Sequence, residues 1–291
     1  MKALIAVLLV ASAATAAFAH PGSGIVVDRR GTVYFADTGG GVWAIDPAGK
    51  LASRGGPRFH WMAIDESARP SGAPLPSIPG GEITPVGANP TLLLSSDVPI
   101  VVGRDGTLYY PELGRDGGLR IIGFTRSGVA SVRATLPSKG LKWINGLAIA
   151  ADGSLYYTED KAIRRVDPRG VVSTVAMNVA VPGCARIPGN EPGSEPYLRG
   201  LAVAPAGTIF VAASGCGAVL KVTPHGAITV VLRTTSPWSP TAVAFSASGL
   251  YVLEYVHTVE EDRRAWVPRV RKVLPNGSVI SIASVQRPKA R

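Results

Sequence analysis

The chain has 291 residues, with 34 glycines, 24 prolines and only 17% charged side chains, a balance that fits short strands joined by tight turns and excludes a chain of long solvent-facing helices. Its formal charge of +10 favours anionic surfaces or substrates. The basic residues are scattered, dense only around Arg263 to Lys272 and Arg287 to Arg291, and accompany no helix-turn-helix, zinc-finger or RNA-binding signature, so nucleic acid is set aside as a partner.

Met1 and Lys2 form a short positive start, Ala3 to Phe18 an uncharged and mostly apolar run, and Ala17-Phe18-Ala19 supplies small residues where a signal peptidase reads. We expect residues 1–19 to be a signal peptide cleaved after Ala19, and the protein to be exported, periplasmic or secreted. The run is about 16 residues, short of the roughly 20 that cross a bilayer as a helix, and nothing comparable follows, so no transmembrane span is expected.

From residue 20 to 291 the sequence repeats, which predicts one domain rather than two. The first half of the repeat is a short apolar run, a turn ending in glycine, and an aromatic-rich strand. It is read at Ile25-Val26-Val27 to Val33-Tyr34-Phe35, Ile100-Val101-Val102 to Leu108-Tyr109-Tyr110, and Leu147-Ala148-Ile149 to Leu155-Tyr156-Tyr157. It returns at Leu201-Ala202-Val203 to Ile209-Phe210-Val211 and at Val243-Ala244-Phe245 to Leu250-Tyr251-Val252. The second half is a strand, a tight Pro or Gly turn and a further strand, starting at Val42, Ile83, Leu119, Ile163, Leu220 and Val270. The second copy lacks a plain first half; Trp61 to Asp65 serves as its inner strand and a Pro-rich segment from Arg69 to Gly81 interrupts it. Four strands per repeat, at spacings of roughly 36 to 54 residues, predict an all-β, six-bladed β-propeller of four-stranded antiparallel blades with the second blade eroded. Blades one and six each supply their own four strands, so ring closure is expected to rest on packing alone.

Asn145-Gly146-Leu147-Ala148 with Asp152-Gly153 and Leu155-Tyr156 resembles the NGLA, DG, LY motif of SMP-30/gluconolactonase-like propellers, and the Asp-Pro-x-Gly turns at Asp46 and Asp167 resemble NHL repeats. The resemblance implies that inner-strand starts and second-strand ends share one face around the central channel. The starts are Ser23, His60, Val98, Asn145, Arg199 and Thr241; the ends are Asp37, Glu112, Glu159, Ala213 and Glu254. It also implies a Ca²⁺ or other divalent cation polarising an ester carbonyl. Only Asn145 matches that family's ligand set, because Ser23 and Gly24 stand where its first-blade glutamate would be and Arg199 stands where its fifth-blade aspartate would be.

The carboxylates Asp37, Glu112, Glu159 and Glu254 could ring the channel mouth, where Asn145, Glu112 and Glu159 would hold a hard cation, or they could cap turns. Glu254, His257 and His60 are candidate acids or bases; His225 lies in an outer turn, and His20 would become the first residue after cleavage. Trp61, Trp143 and Trp238, with Arg199, could bind a flat, sugar-like or anionic ligand, or the rings could wedge between blades. Cys184 and Cys216 should fall on this face too, and an exported chain with two cysteines favours a disulfide. The leading reading is a binding propeller for a small molecule or protein partner. The alternative is a metal-dependent lactone or ester hydrolase, and a metal-free enzyme resembling strictosidine synthase is a third.

Overall fold

A computed structural model describes residues 21–287, except Ala68, Gly80 and the segments 138–143, 185–194 and 257–264. Trp143, His257, His20 and residues 1–19 lie outside the described residues.

The first blade is β1 Ile25–Val27, β2 Val33–Asp37, β3 Gly41–Ile45 and β4 Leu51–Gly55; the second is β5 Trp61–Asp65, β6 Ile83–Val86 and β7 Thr91–Ser95. The third is β8 Val101–Val102, β9 Leu108–Leu113, β10 Leu119–Phe124 and β11 Ala130–Thr135, and the fourth is β12 Gly146–Ile149, β13 Leu155–Glu159, β14 Ala162–Val166 and β15 Val172–Ala176. The fifth is β16 Leu198–Val203, β17 Ile209–Ala213, β18 Ala218–Val222 and β19 Ile228–Arg233, and the sixth is β20 Trp238–Ser246, β21 Gly249–Val256, β22 Pro268–Val273 and β23 Val279–Ser284. Five sheets run in chain order with four antiparallel strands each. Blades one and six use only their own strands.

The second blade departs from that order. β7 pairs directly with the inner strand β5, and β6 lies outside it. Ile83–Val86 therefore takes the third position and Thr91–Ser95, expected to be outermost, fills the vacant second one. Strands two and four of a blade run in the same direction, so a chain leaving β7 is already at the face where the next inner strand starts. The 66–82 excursion is pinned at its root. Asp65 is fully buried, and its carboxylate accepts from Ser67 and pairs with Arg126 of the third blade at 2.5 Å and with Arg69 at 3.8 Å.

Alternation along a strand explains why the apolar runs are nearly continuous. On β2, Val33 and Phe35 belong to a cluster shared with blade six, while Tyr34 and Ala36 belong to one shared with blade two. Both faces are buried, so both alternating sets must be apolar. Among the described residues the core is six such clusters, each bridging two neighbouring blades.

Small residues set the radius of the ring. A Cβ on Gly146 would lie 2.4 Å from the Arg199 carbonyl oxygen, and one on Gly200 would lie 2.6 Å from the Ala242 Cβ, so the inner strands of blades four, five and six approach as only glycine permits. The closing interface is more than packing. Phe35 and Ile45 of blade one meet Leu253, Tyr255 and Val270 of blade six; the Tyr255 hydroxyl donates to the Ala36 carbonyl at 2.5 Å, and Arg287 pairs with the buried Asp37.

Gly146→Ala should destabilise the protein by about 1–3 kcal/mol through overpacking against main chain, read as a lower urea midpoint with an unchanged slope. Burial, and then the Asp37 charge, raise the Tyr255 phenol well above its ordinary value. A raised phenol stabilises the fold fully below its unfolded value near 10, and that contribution is lost as pH climbs toward the folded value. Tyr255→Phe should therefore lose about 1–3 kcal/mol at neutral pH and show a shallower stability decline above pH ~10 in melts across pH 8 to 11.

Candidate functional site

Each inner strand enters from the same face, and its first residues follow a local pattern: Ser23-Gly24-Ile25, Asn145-Gly146-Leu147 and Arg199-Gly200-Leu201. Glycine allows the close approach just described, and the residue before it projects a polar group at the narrow mouth. Arg199 is fully buried there. Its guanidinium donates to the Pro21 carbonyl at 2.5 Å and lies 5.9 Å from the Tyr197 ring centroid; burial lowers its pKa from the usual arginine range, partly offset by Tyr197 and Tyr255. Asn145 is buried beside it in sequence register, and Ser23, Thr158 and Thr241 add buried hydroxyls.

Three of the four carboxylates of this face are engaged by the protein itself. Glu254 is fully buried, with Oε2 accepting from Arg269 Nε at 2.6 Å and Oε1 accepting from Arg271 at 3.0 and 2.5 Å. Asp37 caps its turn through the Gly39 amide at 3.0 Å, accepts from the Trp43 indole at 3.1 Å and holds Arg287. Glu159 accepts from Arg164 Nε at 2.8 Å. Glu112 is half-buried and has no ion pair among the described residues; it adds to the burial that pushes the Tyr110 phenol up to about 12. The eroded blade contributes Ser95, at the end of β7, to the same register.

The remaining candidates are placed as follows. His60 is half-buried and its Nδ1 donates to the Ser96 carbonyl at 2.7 Å, while its own carbonyl accepts from Ser23 N at 2.7 Å, so it ties the start of the first blade to the entry and exit of the second. Trp61 is buried in the cluster between blades two and three, where it wedges rather than presents a ring. Trp238 carries the Arg269 guanidinium 3.9 Å above its ring. Cys184 and Cys216 form the disulfide, tying the connection between blades four and five to the 3₁₀ turn Ser214–Cys216. No group of three His, Cys, Asp or Glu side chains able to hold a metal occurs among the described residues, nor does a helix long and apolar enough to cross a membrane.

A cavity absent from the sequence reading opens at the opposite end of the channel. It has a volume of about 600 Å³ and is lined by the ends of four inner strands and the turns that follow them.

These features define a six-bladed β-propeller with an arginine-rich narrow mouth and a wide far mouth. No family model and no curated protein matches the sequence. Among solved structures the fold is similar to virginiamycin B lyase from Staphylococcus aureus, at 17% identity over 92% of this chain and 85% of that one, with a TM-score of 0.53. It is similar to a putative gluconolactonase, at 18% identity over 87% and 88% with a TM-score of 0.51. It is also similar to the calcium-binding protein regucalcin from Agrobacterium tumefaciens, at 17% identity over 80% and 81% with a TM-score of 0.50. Similarity at this level establishes the shared propeller fold.

Because Glu254 balances two guanidiniums, Glu254→Gln should lose on the order of 3 kcal/mol of stability by leaving them without a counter-charge. Urea unfolding of the variant checks this. A variant as stable as its parent would return Glu254 to the candidate acids and bases.

Proposed function

We propose that this chain is an exported binding propeller that takes a small anionic ligand, such as an acidic sugar, on the face carrying Asn145, Arg199 and Trp238. The observation that carries the reading is the arginine surplus of that face. Arg164, Arg269, Arg271 and Arg287 engage three of its carboxylates, and Arg199 adds a further guanidinium bonded to a main-chain carbonyl. Guanidinium groups held rigid by ion pairs and by stacking on an indole lose little freedom when they bind a carboxylate or phosphate. The disulfide suits an oxidising compartment and supports export.

A resident calcium ion fits this face poorly. Glu112 is the one carboxylate left uncommitted among the described residues of the face, beside Asn145 and the neutral hydroxyls of Ser23, Thr158 and Thr241, whereas Ca²⁺ takes six to eight oxygens with carboxylates to offset its charge. Glu159, the third residue expected around the ion, is committed to Arg164.

Melting temperatures of the chain from His20 onward, in chelator, in millimolar calcium and in millimolar glucuronate or glucose, separate the readings. A rise of about 5–10 °C is expected with an anionic sugar present at about 100 times its dissociation constant, and none with calcium or glucose. A calcium-driven rise lost in Asn145→Ala would instead put a metal-dependent lactone or ester hydrolase first.

A further inference from the structure

We propose that the far mouth of the axial channel is a second binding site, for a small and largely apolar molecule that carries a hydrogen-bond donor. In four blades the three-residue apolar run at the inner strand begins with a residue buried between blades: Ile100, Leu147, Leu201 and Val243 are 4%, 9%, 6% and 3% exposed. The last apolar residue of the same four strands, Val102, Ile149, Val203 and Phe245, is only half-buried and lines the cavity. Four blades thus present aliphatic and aromatic surface to one concave space, a pattern that a folded domain normally removes from water.

The volume of about 600 Å³ falls within the range of roughly 300–1,000 Å³ that holds small molecules, and this open bowl has the mainly apolar walls with a few polar groups that are the usual make-up of such sites. The polar groups here are on the rim. Asp105 and Asp152 belong to the turns after β8 and β12 and line the cavity together with Arg104. Each carboxylate accepts from the amide and hydroxyl of the residue two positions on, Thr107 or Ser154, which fixes its orientation. Asp152 also accepts from Arg165 at 3.3 Å; a carboxylate has about four lone-pair sites, so each still retains acceptor capacity. Those acceptors select a ligand with an N–H or O–H at one end of an apolar body. The contrast with the other mouth is physical: there Gly146 and Gly200 let neighbouring strands approach closely and Arg199 is buried against Pro21, whereas here branched and aromatic side chains line the cavity.

The neutral fluorophore N-phenyl-1-naphthylamine, apolar with a single N–H, tests the site without relying on the basic charge of the protein. Titration of the chain from His20 onward, which retains all six blades, should show one saturable site by enhanced emission. Ile149→Glu puts a charge into the floor, and Ala247→Trp fills the rim from an exposed position without disturbing the core. Each should weaken binding at least tenfold, while Val279→Glu, on the outer strand β23, should leave it unchanged. The proposal is overturned if binding does not saturate, or if Ala247→Trp and a cooperatively melting Ile149→Glu both bind like the parent.

Discussion

Each blade has two apolar faces, and no blade can be stable unless both are covered. That requirement passes from neighbour to neighbour around the ring and ends at the contact between blades one and six, which must form although its partners are far apart in sequence. Tyr255 and Ala36 are 219 residues apart, and Arg287 and Asp37 are 250 apart. Closing so long a loop carries an entropic penalty, and among the described residues no shared strand offsets it with ladder hydrogen bonds. The interface answers with a large apolar cluster, a buried phenol on a main-chain carbonyl and a buried ion pair.

The same requirement accounts for what has become of the carboxylates. Asp37 and Glu254 sit at second-strand ends, where an enzyme of this fold could place acids and bases, yet here they hold arginines from the C-terminal part of the chain. Asp37 thereby serves the turn, the indole of Trp43 and the ring closure at once. A buried carboxylate needs such partners because burial of an unpaired charge is strongly unfavourable. Asp37, Glu159 and Glu254 are thereby tied into the fold, and Glu112 is the carboxylate of this register without an ion pair among the described residues.

The two ends of the channel diverge for a local reason. At the narrow end the residue after each polar start is glycine in three of the six blades, and main chain meets main chain. At the wide end the strands finish in valine, isoleucine and phenylalanine, followed in blades three and four by Asp-Gly turns whose carboxylates line the rim. One repeat therefore generates both a filled mouth and an open one.

The six repeats, the strand sequence within five of them and the polar register of one face were legible in the sequence, because alternation and turn glycines are local and recur at a fixed interval. The disulfide followed from the cysteine count and the placement of both residues on one face. The position of Thr91–Ser95 was not legible, since a strand in second or fourth place runs in the same direction and reads alike until its neighbour is known. Nor could the sequence show that Trp61 is a wedge, that Arg199 bonds the Pro21 carbonyl, or that Glu254 is flanked by two arginines 15 and 17 residues further along the chain. Local sequence determines which residues can form strands and on which side of them a group projects. Which charges neutralise one another, and which end of the channel stays open, are decided by distances between segments, and only the closed ring brings those segments together.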